Sequence, residues 1–263
     1  MPQIHVTFDA ASDYERVMGQ WSRLIGERFL DWLAPPPGLR WLDIGCGTGA
    51  FSAIILKRCA PKAVAGIDPA PAQIEHARKE TPQAEFRVAD ATALPFGDGD
   101  FDAVTSALVV NFIPDRPTAF REMHRVVRAG GVVSAYQWDR REDENHSPFA
   151  PIENGLRAIG AEVLQPPIVP EATPDGARAA LERAGFADID IATIEARRSF
   201  RDFDDYWDTQ TLPISPAGKS IAALSDSKRA ELRDVMRRML PAETDGSVSY
   251  ASRALAFKAR KAV

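Results

Sequence analysis

From residue 40 to residue 138, short apolar runs alternate with stretches of helical period. RWLDIG (40–45) carries an aspartate, and AVAGID (63–68) and EFRVAD (85–90) each end on one. FDAVTSALVVNF (101–112) begins as a nearly continuous apolar run, the pattern of a strand covered on both faces, and VVSAYQW (132–138) is a fifth strand. Between them lie a helix opening at Thr48 (TGAFSAIILKRCA), another over 71–79 (PAQIEHARK), and a third over 117–131 that the pair Gly130 and Gly131 is expected to stop. Strands alternating with helices at this spacing predict an α/β chain built on a doubly wound, mostly parallel sheet with right-handed crossovers.

The flanks follow other rhythms. Residues 14–33 repeat apolar side chains at helical spacing, with Asp13 as a cap and the prolines of APPPG as the stop. Beyond 138 come a polar, then proline-rich stretch with a helical piece at 151–164, a helix over 175–186 ending at Gly185, and a strand over 189–200. The helical pieces FDDYWD, PAGKSIAAL and DSKRAELRDVMRRML follow, and then a last strand over 248–260. Two late strands added to five give a seven-stranded sheet. The expected organisation is one domain over 1–263, with its core at 35–138 and with 139–172 and 201–245 covering the mouth of the site.

Composition narrows the partners. The chain has 263 residues, 45% hydrophobic and 26% charged, with a formal net charge of −5. No basic stripe suited to phosphates is visible, so nucleic acid and anionic membranes are poor partners. Two cysteines, Cys46 and Cys59, fit reduced thiols in a cytoplasmic protein. No apolar run of about 18 residues is found, the first residues lack the pattern of a signal peptide, and no metal-ligand cluster is read.

The chemistry concentrates in WLDIGCGTGAF (41–51), a strand, a glycine turn and a helix start. It fits two fingerprints. Gly45, Gly47 and Ala50 satisfy a dinucleotide pattern, and Asp43, Gly45, Gly47 and Gly49 satisfy one that binds S-adenosylmethionine. Ligands of open α/β sheets bind at the carboxyl ends of strands. Asp68, 23 residues beyond Gly45, can accept both hydroxyls of a ribose, and Asp90 can accept the exocyclic amine of adenine. Both cofactor classes use a ribose carboxylate. Asp43, placed to orient an ammonium directly or through water, and loop amides facing a carboxylate suit a zwitterionic amino-acid tail better than a pyrophosphate.

WLDIGCGTGAFS, GIDPAPAQIEHAR, FRVADATALPFGDGDFDAVTSALVVNFIPD and AFREMHRVVRAGGVV together resemble class I S-adenosylmethionine-dependent methyltransferases, in particular the small-molecule group that includes the ubiquinone and menaquinone methylases. The resemblance covers about residues 14–138. It implies a Rossmann-like fold with S-adenosylmethionine as cofactor and S-adenosylhomocysteine as product. Carried over by position, it implies that Gly45, Cys46 and Gly47 line the methionine tail and that Asp68 holds the ribose. Pro69 and Gln73 would flank the adenine, and Asp90 would take its amine with Ala91 alongside. Ser106, Ala107 and Leu108 would lie under the transferable methyl. The stretch 14–34 resembles a segment that closes over the cofactor, which would bring Tyr14, Met18, Trp21 and Ser22 near the methionine end. Many relatives carry Met at the position of Gln73, and a His pair where this chain reads VVNF.

Methyl transfer from a sulfonium needs positioning and water exclusion more than a base. If the nucleophile arrives protonated, His146 and Tyr14 are the candidate bases. His76 and His124 read as structural, and His5 as part of a tail. Trp138, Phe149, Tyr206, Trp207 and Leu212 are candidate walls for a partly apolar small acceptor. A nicotinamide oxidoreductase and a non-catalytic binder of S-adenosylmethionine or S-adenosylhomocysteine are the competing readings. Against the former, Tyr136 is followed four residues later by Arg140 rather than by Lys.

Overall fold

A computed structural model of the chain describes residues 15–141, 144–164, 169–213 and 215–263. Asp13, Tyr14 and His5 lie outside the described residues. A π-helical turn, Glu15–Gly19, leads into α1, Gln20–Leu33, which ends at Ala34 before the three prolines. Then follow β1 (Arg40–Ile44), α2 (Ala50–Cys59), β2 (Ala63–Asp68), α3 (Pro71–Glu80), β3 (Glu85–Val88), β4 (Phe101–Ala107), α4 (Arg116–Val126) and β5 (Val127–Trp138). The second half holds α5 (Ala150–Ala158), α6 (Pro174–Arg183), β6 (Phe186–Phe200), α7 (Phe203–Gln210), α8 (Pro216–Ala222), α9 (Asp226–Met239) and β7 (Val248–Lys261).

The seven strands form one sheet in the order β3-β2-β1-β4-β5-β7-β6, the expected doubly wound α/β architecture. β1 pairs in parallel with β2 and β4, β2 with β3, and β4 with β5. β7 runs antiparallel to β5, from Val132 opposite Arg260 to Trp138 opposite Ala254.

The chain divides into two compact units. The sheet unit is drawn from Ile25–Arg141, Ile168–Ile194 and Ala254–Val263. Its core is the apolar strand interior, including Leu42, Ile44, Ile67, Val104, Val133 and Phe257. The aromatic unit is drawn from Met1–Leu24, Glu142–Pro167 and Glu195–Arg253. Within it α5 packs on α9, and Gly155 is the contact point. A Cβ there would stand 2.3 Å from the Met236 sulfur.

Several boundaries differ from the sequence expectation. The run 101–112 is a strand only to Ala107. Leu108 then adopts a left-handed φ of 63°, donates its amide to Tyr136 O at 2.8 Å, and starts a 3-10 turn over Val110–Phe112. β3 stops at Val88, two residues before Asp90. The helix expected over 151–164 ends at Ala158. α4 ends at Val126, not at the glycine pair, because Val127 is already extended and pairs with Phe101. The glycines lie inside β5, at its irregular start. A Cβ on Gly131 would fall 2.7 Å from Val127 Cγ2 and 2.9 Å from the carbonyls of Arg128 and Asp102. Gly131→Ala is therefore expected to cost about 1–3 kcal/mol of stability, as overpacking does. The urea midpoint of the variant checks this, and an unchanged midpoint would contradict it.

Candidate functional site

The site is built in the sheet unit at the carboxyl ends of β1, β2 and β4. The chain leaves β1 through three left-handed glycines: Gly45 (φ 71°), Gly47 (φ 53°) and Gly49 (φ 84°). Each answers a different need. The amides of Gly45 and Cys46 both donate to Ile67 O, at 2.8 and 2.9 Å, which folds the loop back over β2. A side chain on Gly45 would collide with Val109, whose Cγ1 would lie 2.4 Å from its Cβ. Gly49 caps α2 and lets it settle on Ala77 and Phe86, each 3.2 Å from where a Cβ would be. A Cβ on Gly47 would meet no atom within 4 Å, so this part of the loop is where a ligand can approach the backbone. α2 begins at Ala50 rather than Thr48, because the Gly49 turn precedes it.

Two carboxylates lie against this loop. Asp68 accepts from Gly47 N at 3.1 Å on one oxygen and from Ala70 N at 2.9 Å on the other. Each oxygen keeps a lone pair, as a ribose-binding carboxylate requires. Burial raises its pKa, against the pull of those two amides. Asp43 is fully buried, and its Oδ2 accepts the Ser52 hydroxyl at 2.7 Å, while its Oδ1 has no partner. Burial pushes its carboxyl up to about 7; the Ser52 hydrogen bond works the other way, and the charge of Asp68 adds to the rise. A buried carboxylate with an orphan oxygen is a poor structural group and a good receiver for positive charge. These features fit the amino-acid tail and ribose that the resemblance implies.

The remaining expected residues fall as follows. Cys46 is buried beside Ile74, Ala77 and Phe86, and burial drives its thiol pKa far up, so it lines the loop as an inert apolar group. Pro69 is exposed and Gln73 half-buried, at the start of α3. Asp90 is exposed in a turn where its Oδ1 accepts both the amide and the hydroxyl of Thr92, at 2.8 and 2.6 Å, which lowers its pKa. Ala91 beside it is buried. Ser106 is buried and donates to Ile44 O at 3.1 Å, tying the end of β4 to that of β1. Ala107 and Leu108 follow it, half-buried. Met18, Trp21 and Ser22 belong to the aromatic unit, where Trp21 is fully buried against Tyr250 at 5.2 Å. His146, also in that unit, has its Nε2 within 3.4 Å of the Arg253 guanidinium.

Further residues shape this region. Ser52 is the hydrogen-bond partner of Asp43, and its signal was a lone hydroxyl in the apolar helix AFSAIILKRC. Val109 fills the space under Gly45. Asn111, in the turn after β4, has a buried Oδ1 with no partner. Glu171, nearly buried, accepts from Arg116 at 2.9 Å, and its carbonyl accepts from Gln137. It therefore joins the turn Pro170–Ala172 to α4 and β5 in the sheet unit.

Comparison with known proteins agrees with this geometry. Residues 42–135 match the family model described as a methyltransferase domain. A 2-methyl-6-phytyl-1,4-hydroquinone methyltransferase of Synechocystis is 39% identical over 134 residues, 50% of this chain and 39% of that protein. A demethylmenaquinone methyltransferase of Renibacterium salmoninarum is 32% identical over 171 residues, 62% of this chain and 61% of that one. The chain thus spans roughly half the length of the curated relatives it matches. Phosphoethanolamine N-methyltransferase 2 of Haemonchus contortus, solved with S-adenosylhomocysteine, superposes with a TM-score of 0.55 at 17% identity, covering 95% of this chain and 56% of that one. The chain shares the Rossmann-like fold of that structure, and residues 42–135 match the methyltransferase-domain model.

The Asp43 carboxyl sets a pH dependence. An acid whose folded pKa lies above its unfolded one binds its proton more tightly in the folded chain. Its contribution to stability therefore falls as pH rises from about 4 to about 7. Asp43→Asn removes that loss, so the stability of the variant relative to the parent should climb across this window in urea titrations. A difference that stays flat with pH would contradict the buried, raised carboxyl.

Proposed function

We propose that the protein transfers a methyl group from S-adenosylmethionine to a small, partly apolar molecule. The observation that carries this reading is the loop of Gly45–Gly47 set between the orphan oxygen of Asp43 and the two-handed Asp68. When bound, the cofactor supplies a sulfonium methyl already activated for in-line displacement. The chain has then to bind and orient. Gly45, Cys46 and Gly47 line the methionine tail, and the negative charge of Asp43 favours its ammonium. Asp68 holds the ribose hydroxyls, Pro69 and Gln73 flank the adenine, and Asp90 takes its amine on the oxygen that Thr92 leaves free, beside Ala91. Ser106, Ala107 and Leu108 form the floor near the methyl. The left-handed Leu108 is the kind of local strain that collects at functional turns.

Positioning and water exclusion carry the rate in this reading, and no general base is assigned. Acceptor choice falls to the segments 139–172 and 201–245, which lie outside the matched residues. Among the described residues no helix is long and apolar enough to cross a membrane. Two free cysteines and a net charge of −5 support a cytoplasmic setting without nucleic acid as partner.

Calorimetric titration tests the cofactor directly. S-adenosylmethionine and S-adenosylhomocysteine should bind and NAD should not. Asp68→Ala should weaken binding more than about tenfold, because two hydrogen bonds to a charged group are lost. Binding of NAD alone, or unchanged affinity in the variant, would overturn the reading.

A further inference from the structure

A hollow of about 370 Å³ lies in the sheet unit where α4 packs beside α6. Pro117, Phe120 and Arg121 of α4 line one side, and Ala180, Arg183 and Ala184 at the end of α6 line the other, with Glu171 between them in sequence. Spacings of three and four residues put each helical trio on one face. The hollow stays open because α6 brings alanine methyls where longer side chains would fill the space. Its volume falls within the range of small-molecule pockets.

The charge of this hollow is not balanced. Glu171 is neutralised by Arg116, at 2.9 Å. Arg121 donates to the Thr118 hydroxyl at 2.7 Å rather than to a carboxylate. Its charge reaches Asp115, but that carboxylate already takes the amide and the hydroxyl of Thr118, at 3.1 and 2.6 Å. No carboxylate pairs with Arg183 among the described residues. Two exposed guanidinium groups, one from each helix, therefore border an apolar wall.

The size of the partner follows from the surroundings. Among the described residues the large apolar side chains that stand exposed are Val88, Phe112, Met239 and Val263, and none of them lines the hollow. The apolar surface is thus confined to the hollow itself. That suits a small molecule better than the broad face of a protein partner.

We propose that this hollow binds a soluble phosphate monoester with a short apolar tail. The phosphate would sit between Arg121 and Arg183, and the tail on Pro117, Phe120, Ala180 and Ala184. A phosphomonoester carries about −1.5 to −2 charge at pH 7 and three acceptor oxygens, which matches two guanidinium forks. A carboxylate would meet one of the two charges and an alcohol neither, and inorganic phosphate would leave the apolar wall unused. None of the lining residues belongs to the glycine loop or its carboxylates, so occupancy does not depend on the methyl-transfer reading.

Calorimetric titration of the full chain with n-hexyl phosphate tests this, with inorganic phosphate, hexan-1-ol and hexanoate as partial analogues. Hexyl phosphate should bind, and each analogue at least tenfold more weakly. Arg121→Gln and Arg183→Gln should each weaken it about tenfold, with melting temperatures unchanged because both side chains are exposed. Ala184→Leu, which fills the hollow, should weaken it as much. Arg178→Gln, which removes an exposed α6 arginine outside the lining, should leave it unchanged. Absence of binding, equal binding of any analogue, unchanged affinity in both lining-arginine variants, or an equal loss in Arg178→Gln would overturn the proposal. So would displacement of hexyl phosphate by saturating S-adenosylhomocysteine, or recruitment of the chain to phosphatidylcholine vesicles containing phosphatidate, which would assign the arginines to a lipid surface. Failure of S-adenosylmethionine to bind while hexyl phosphate binds would strike the methyl-transfer reading and leave this one standing.

Discussion

The carbonyl of Ile67, which takes two amides from the loop after β1, holds the carboxyl edge of the sheet in its working shape. That double acceptance turns the chain sharply enough to need a left-handed glycine at 45, where Val109 leaves no room for a side chain. The same turn brings the Gly47 amide onto Asp68 and starts α2 where Ser52 can reach Asp43. The glycine loop, Asp68 and the buried Asp43 thus form one unit. None could move without loosening the others.

The cost of that arrangement is stored in Asp43. A carboxylate sealed in the sheet with a single hydroxyl partner destabilises the ligand-free protein as it ionises. Such a group persists when something in the functional cycle repays it, and a cationic ammonium near the loop would do so. The aromatic unit also buries a charge, the guanidinium of Arg198, whose hydrogen bonds go to the carbonyls of Val17 and Arg16.

What could be read from the sequence follows what is local. Strands β1 and β2 and the helices that follow them declare themselves by period, by glycine and by proline at a helix start, and their ends were placed within two residues. β4 was overrun because Leu108–Phe112 stay apolar after the strand stops. The stop comes where Leu108, after a last ladder bond from its amide to Tyr136 O 28 positions away, turns to a left-handed φ of 63°. The glycine pair 130–131 looked like a helix stop because glycine serves both ends, and only the pairing of Val127 with Phe101 reveals the early strand. The Asp43–Ser52 hydrogen bond and the orphan groups of Arg198, Tyr206 and Gln210 were beyond reach. They depend on which polar atoms folding leaves unmatched, and the aromatic unit is assembled from three separated stretches.

Amide chemical shifts followed by NMR during titration with S-adenosylhomocysteine test the central claim most directly. The account predicts that the largest changes fall on Gly45, Cys46 and Gly47. Those of Gly47 should be the strongest, because its hydrogen bond to Asp68 must adjust when that carboxylate takes up a ribose. Saturable binding that leaves these three amides unmoved would contradict it.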